Sequence, residues 1–390
     1  MNSYAGWHFL QIPGPTNVPN RVLRALSAPT IDHRGPQFAQ LCLEVIDGLK
    51  LLFKTTQPVI IFPSSGTGAW EAALVNTLSP GAKVLMFETG YFACAWRNVA
   101  VNIGLDVEFV PGDWRHGVDP VIVEQELVSD LNHTIRAVAV VHNETSSGVA
   151  SDIAEIRKAM DRSKHPALLM VDTISSLGCM DYRHDEWQAD VTIASSQKGL
   201  MLPPGLGFNA VSEKALHASQ SAKMPRSYWR WEEIIQLNQK GFFPYTPATN
   251  LLFGLGESIR MLKEEGLENV FQRHRRLAEA TRKAVGAWGL ELVCQNPKEC
   301  SSSVTAVIMP KGCSADAFRK VVLDRFNMSL GNGLGRFSDK VFRIGHLGDF
   351  NDLMLLATLS GLEMGFSLSD IPFAPDGVAA AVQFLTQRLK

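Results

Sequence analysis

The stretch LLMVDTISSLGCMDYRHDEWQADVTIASSQKGL, residues 168–200, decides how this chain reads. Leu168–Asp172 is a short apolar run that ends on an acid and predicts a buried strand. After a polar excursion, Val191–Ala194 is a second apolar run that empties into Ser195-Ser196-Gln197-Lys198-Gly199. In an α/β sheet, charged groups at strand ends face the crevice at the carboxyl edge, where such sheets bind ligands. A lysine held in a largely apolar pocket loses protonated character and becomes a nucleophile toward carbonyls. An aspartate aimed at a heteroaromatic nitrogen would keep that nitrogen charged. Asp172 and Lys198 are therefore the two protein groups that a pyridoxal phosphate site needs. A solvated loop lysine and a helix-capping aspartate would explain the same letters without any site.

Working outward, Val59–Phe62 predicts a buried strand that feeds Pro63-Ser64-Ser65-Gly66-Thr67-Gly68 and then a helix through Leu78. Strand, small-residue loop and helix make a generic anion cradle, because unpaired N–H groups and the helix dipole point the same way. The loop lacks the lysine of a Walker A motif and the spacing of a dinucleotide fingerprint. Lys83–Phe87 predicts the next strand, followed by Tyr91 and Phe92, an aromatic pair that could face a flat ring or simply pack in the core. Ile135–Val141 is strongly β-branched and exits into His142-Asn143-Glu144-Thr145-Ser146-Ser147, more hydrogen-bonding groups than a turn requires. Strands alternating with helices over residues 55–211 indicate a mostly parallel sheet between helical layers.

The flanks differ in texture. Residues 1–20 are proline-rich and include PGPTN (13–17), which predicts an extended arm across a neighbouring subunit or a site mouth. Asp32-His33-Arg34-Gly35-Pro36 is a turn before an amphipathic helix, Gln37–Phe53. Arg34 sits unfavourably at the positive helix start and so suggests an anionic partner. Met224–Lys240 carries a mixed Arg, Tyr and Trp stripe that suggests an interface. Asn327–Arg336 is glycine-rich and predicts a mobile loop. Arg343 lies between apolar neighbours on a strand, where its planar fork suits a bidentate carboxylate or a structural ion pair. The division expected is an arm (1–20), a large domain (21–255) and a smaller C-terminal α+β domain (256–390).

Composition sets the outer limits. The chain has 390 residues, 46% hydrophobic and 19% charged, with a formal net charge of −2. Scattered basic residues argue against nucleic acid or an anionic membrane as partner. No apolar run approaches the roughly 20 residues a membrane helix needs. The N-terminus lacks the basic and apolar regions of a secretory signal. Six cysteines without a CxxC pair read as reduced thiols, so a cytoplasmic location is expected.

Taken together, IPGPTN (12–17), DHRGP (32–36), FPSSGTGAWEAAL (62–74), HNETSSGV (142–149), VDTISSLG (171–178), SQKGLMLPPGLG (196–207), FPYTPATNLLFGL (243–255) and KVFRIGHLG (340–348) resemble the class V aminotransferases of fold type I. The likeness is greatest to the serine–glyoxylate and alanine–glyoxylate transaminases, and it covers nearly the whole chain. It implies an α/β fold with a seven-stranded, mostly parallel sheet, and pyridoxal 5'-phosphate as cofactor. It makes Lys198 the Schiff-base lysine and proton shuttle, and Asp172 the partner of the pyridine nitrogen. Ser65, Gly66, Thr67 and Gln197 would hold the phosphate, with Thr246 and Tyr245 reaching it from the second subunit of a homodimer with shared sites. Phe92 would stack on the ring, Thr145 would bond its phenolic oxygen, and Arg343 would grip the substrate carboxylate. Arg34 belongs to a DHR motif of the bacterial glyoxylate branch and would lie near substrate. The implied reaction passes an amino group from an L-amino acid, serine first and aspartate or alanine as alternatives, to glyoxylate. A cysteine desulfurase on the same fold would need a cysteine in the 327–336 loop, and there is none.

Overall fold

The computed structural model describes residues 6–387; residues 1–5 of the expected arm and residues 388–390 lie outside the described part. Seven strands make the central sheet: β1 (Val59–Ser64), β2 (Lys83–Phe87), β3 (Asp106–Val110), β4 (Ile135–Val141), β5 (Leu168–Asp172), β6 (Val191–Ser195) and β7 (Gly205–Val211). Their order is β1-β7-β6-β5-β4-β2-β3. Every neighbouring pair is parallel except the two that β7 makes. The α/β, mostly parallel architecture expected from the sequence is the one observed. The reversal at β7 has a simple cause. Segment 196–204 is shorter than the roughly dozen residues a parallel crossover needs.

Every residue of β5 and β6 is buried. Helical layers cover both faces, so these strands read as unbroken apolar runs rather than as alternation. The two faces still sort by period two. Met170 packs with Trp70, Trp96 and Ile193 on the side of the helix Gly66–Thr77. Leu169 and Val171 pack with Val138, Val140 and Ile156 on the other. On that second side, the helix Pro36–Phe53 lays Val45 and Leu49 against Ile61 and Phe208, along with Leu255 of the helix Thr249–Glu265.

A second sheet of five strands has the order Phe9–Gln11, Met328–Asn332, Val341–Gly345, Val304–Ile308 and Glu291–Leu292. The arm is extended, as its prolines require, but its strand is an edge of this C-terminal sheet, parallel to Met328–Asn332. The expectation of a mobile loop at 327–336 is corrected: residues 328–332 are a strand, followed by a 3-10 turn at Gly335–Phe337. The glycines there serve close approach rather than freedom. A Cβ on Gly331 would lie 2.7 Å from Pro13 Cδ and 2.9 Å from Arg343 Cβ. The Trp stripe at 224–240 is also more interior than expected. Trp231 is fully buried and opens the helix Trp231–Asn238, while Trp229 stands edge-on to Phe62 at 5.2 Å.

Candidate active site

The crevice lies at the carboxyl ends of β1, β4, β5 and β6. β1 runs directly into the helix Gly66–Thr77, with Ser65 as N-cap in an extended conformation and no side-chain capping bond. The hydroxyl residues Ser65 and Thr67 are exposed there, and the helix presents its first N–H groups outward. A Cβ on Gly66 would lie 2.3 Å from Ile174 Cδ1 and 3.4 Å from Ser195 Cβ, so a larger residue would have to push the Ile174 side chain aside. The cradle, the residue after the Asp172 turn and the end of β6 are thus one cluster. Two buried polar atoms at this strand end have no hydrogen-bond partner, Ser195 Oγ and Gln197 Oε1. Unsatisfied polar groups next to a helix N-terminus fit a bound phosphate, whose oxygens accept such donors. Gln197 fits this role with its amide turned to donate.

Asp172 ends β5 and is 4% exposed. Its Oδ2 accepts from Trp70 Nε1 at 3.0 Å, and its Oδ1 from the Ile174 N–H at 2.7 Å. Burial pushes its carboxyl up to about 7, against the Ile174 bond that favours the charged form. A positively charged pyridine nitrogen beside it would reverse that balance and hold it ionised. Lys198, 8% exposed, donates from Nζ to the Pro13 carbonyl. Burial first and the Arg343 charge second lower its amine to about 8, while Asp172 opposes. Near neutral pH such an amine keeps a far larger nucleophilic, unprotonated share than an ordinary lysine, as carbonyl chemistry demands. The arm secures this loop: Thr16 N–H donates to Gln197 O at 3.1 Å, and Thr16 Oγ1 to Lys198 O at 3.2 Å.

The exit of β4 supplies a third wall in which all residues from His142 to Ser147 are buried. Thr145 Oγ1 donates to Ser175 Oγ at 2.9 Å, and its carbonyl accepts from Arg343 Nη1 at 3.0 Å. Arg343 also donates from Nε to Asn332 O at 2.8 Å and is 6% exposed. Among the described residues it has no carboxylate partner. Burial lowers its guanidinium to about 10, while the charge of Glu144 supports it. A buried cation held by two carbonyls, with no carboxylate bonded to it directly, is a receptor for an anion.

Two residues that matter here were not assigned a role from the sequence. Trp70 orients Asp172, and its position on the buried side of the cradle helix was the available signal. Glu144 is fully buried and accepts from Phe92 N–H, Ala93 N–H, Ser146 N–H and Ser146 Oγ. It thereby caps the helix Tyr91–Asn102 from outside and fixes the backbone at Phe92. Burial raises its carboxyl above the ordinary range despite these four donors.

Three sequence candidates are not brought to this cluster. The Tyr245 hydroxyl donates to Ile61 O at 3.4 Å and its ring stacks on Tyr228 at 4.7 Å. Thr246 is exposed. Arg34 is exposed in the turn before the helix Pro36–Phe53, its N–H donating to Asp32 Oδ1 at 2.9 Å. Phe38 meets Phe243 edge-on at 6.2 Å, so the first turn of the helix Pro36–Phe53 and the 243–246 loop are neighbours.

The family model described as "Aminotransferase class-V" matches residues 8–334. The chain is 46% identical over 389 residues to a serine–glyoxylate aminotransferase of Methylorubrum extorquens, covering 98% of this chain and 97% of the relative. It is 45% identical over 378 residues to an L-aspartate–glyoxylate aminotransferase of Paracoccus denitrificans, covering 96% of each. A solved pyridoxamine–pyruvate aminotransferase from Mesorhizobium loti superposes with a TM-score of 0.91 at 26% identity, covering 99% of this chain and 98% of that one. With the helix-start cradle, buried Asp172 and Lys198 and the unpaired Arg343 in view, these matches place the chain among the class V aminotransferases.

Proposed function

We propose that this aminotransferase moves the amino group of L-serine to glyoxylate, giving hydroxypyruvate and glycine, with pyridoxal 5'-phosphate as cofactor. The near full-length identity to serine–glyoxylate aminotransferases supports the pair of substrates. The structural observation that carries the amino-acid reading is Arg343, a buried guanidinium near Lys198 that no carboxylate among the described residues bonds directly. It suits an α-carboxylate, which would hold the α-carbon within reach of the lysine amine.

Pyridoxal phosphate, when bound, supplies a sink for the electron pair left at the α-carbon. The chain's own groups do the rest. Ser65, Gly66, Thr67 and Gln197 anchor the phosphate, and Asp172 keeps the ring nitrogen protonated. Phe92 and Thr145 fix the ring plane and its phenolic oxygen. Lys198 Nζ removes the α-proton as a base and returns it one position away as an acid. Two half-reactions through one site predict ping-pong kinetics.

Homodimer formation belongs to this reading. Exposed Thr246 and partly buried Tyr245, together with exposed Arg34, complete the phosphate and substrate sites of a second copy. An aspartate–glyoxylate reaction is the alternative, favoured by the Paracoccus denitrificans relative and by Arg34, a cation available to a second carboxylate. The deciding experiment scans single amino acids against the cofactor-loaded enzyme and follows loss of its visible absorbance. Serine is expected to react fastest; aspartate far outrunning it replaces the first reading with the second.

A further inference from the structure

Outside the site just described, Cys294 and Cys300 stand close together, and Cys300 lines a large cavity. Cys294 Sγ lies 3.4 Å and Cys300 Sγ 3.6 Å from the same acceptor, the Asn296 carbonyl oxygen. The two sulfurs thus converge on one acceptor. The short 3-10 turn Pro297–Glu299 between them brings the two sulfurs onto one side. Cys300, half-buried, borders a cavity of about 1230 Å³ that Arg282 and Lys298 also line. Cys294 is buried behind it. The pair is asymmetric: Cys300 is half-buried on a cavity wall shared by Arg282, Lys298 and Glu279, whereas Cys294 is buried.

This pair is joined to the active-site wall by backbone. Cys300 forms an isolated β-bridge with Val149, and Ser301 N–H donates to Gly148 O at 2.9 Å. Ser303 Oγ accepts from Asn143 Nδ2 at 2.8 Å, and that amide also donates to Ser175 Oγ, the partner of Thr145. Arg282 ties the same segment from the cavity side, donating to Ser301 O at 3.1 Å. A change in the backbone at Cys300 therefore bears directly on the turn that carries Glu144 and Thr145.

We propose that Cys294 and Cys300 are a redox modification site, a dithiol that a hydroperoxide entering from the Arg282 cavity closes to a disulfide, altering the 142–149 turn. The Cys300 sulfur, as thiolate, attacks one peroxide oxygen; the O–O bond breaks, leaving a sulfenic acid, and the departing oxygen takes a proton. The Cys294 sulfur then attacks the Cys300 sulfur; the S–S bond forms, the S–O bond breaks, and water leaves with the Cys294 proton. The peroxide is reduced by two electrons and the dithiol is oxidised by two. The neighbouring Cys294 lowers the Cys300 thiol to about 7, while Cys294 itself is raised, which matches these roles of attacking and resolving sulfur.

The test treats the cofactor-loaded enzyme with hydrogen peroxide, alkylates free thiols and digests with trypsin. Cleavage after Lys298 separates the cysteines into peptides 284–298 and 299–311. The expected product is the two peptides joined, about 2 Da below their summed mass and parted by dithiothreitol. Cys300→Ser abolishes the product. Cys294→Ser leaves a sulfenic acid on Cys300 that dimedone traps. The oxidised enzyme loses activity by roughly fivefold in kcat, restored on reduction, as expected for a modest coupling between sites. Peptides that stay separate while other cysteines oxidise overturn the site. Joined peptides with unchanged kinetics overturn the link to the turn. The peptide readout holds whichever amino donor the enzyme prefers.

Discussion

At the scale of single residues, Glu144 is the group whose removal is most informative. Its carboxylate oxygens satisfy four donors, two of them at the start of the helix that carries Phe92. It is also the anion whose charge supports Arg343. Glu144→Gln keeps the shape but turns an amide N–H₂ toward backbone donors, leaving at least one buried N–H unsatisfied. Cofactor affinity is expected to fall roughly tenfold, about 1.4 kcal/mol, if Phe92 serves as the proposed ring platform. An absorbance titration of the cofactor-free variant measures this, and wild-type affinity would remove Glu144 from the positioning role. Trp70 acts in the same manner on Asp172. Both are polar or amphipathic residues set deep in the fold, where each hydrogen bond fixes the next.

At the scale of elements, the arm is the part whose importance exceeds its length. Residues 13–17 lie along the lysine loop, and Gly14, at φ +103°, faces the Lys198 side chain. A Cβ on Gly14 would come within 2.4 Å of Lys198 Nζ and Cδ and 2.7 Å of Cε. The left-handed backbone there also disfavours any larger residue. Gly14→Ala is thus expected to displace the amine by a fraction of an ångström or more and lower kcat by on the order of tenfold to a hundredfold. Far-UV circular dichroism should stay unchanged, because the arm is an edge of the second sheet and no core strand moves. An Ala variant with wild-type kcat would show that the lysine tolerates the intrusion. Some helices carry only a weak apolar signal in the sequence, among them Pro120–Ser129. Its start signal was present, with Asp119 accepting from Val121 N–H and proline at the first position. Its apolar periodicity is weak because only Val123 and Leu127 are buried.

At the scale of the whole molecule, the proposed two-fold assembly makes the sharpest demand. Arg34 and Thr246 are both exposed, and neither is bonded to the residues that surround Lys198 among the contacts described. If each serves the other copy's site, Lys198→Ala and Arg34→Ala chains co-expressed in equal amounts will form hybrids with one intact site of two. About half of random dimers are hybrids, so the mixture should regain about a quarter of wild-type activity. Activity no higher than that of Arg34→Ala alone would assign Arg34 to its own subunit. The chain's local chemistry determined a good deal by itself. The apolar runs that became β4, β5 and β6 were legible because strands covered on both faces need no polar residues. Asp172 and Lys198 stood out because charge at the end of such runs is costly without a purpose. Only the tertiary structure decided where distant groups meet. Pro13 lies 185 residues from the lysine it contacts, and Thr145 lies 198 from Arg343. The glycine-rich strand, the docking of the arm and the role of Glu144 depend on such pairings. Local sequence states each partner's chemistry, whereas the packing of two sheets selects which partners touch.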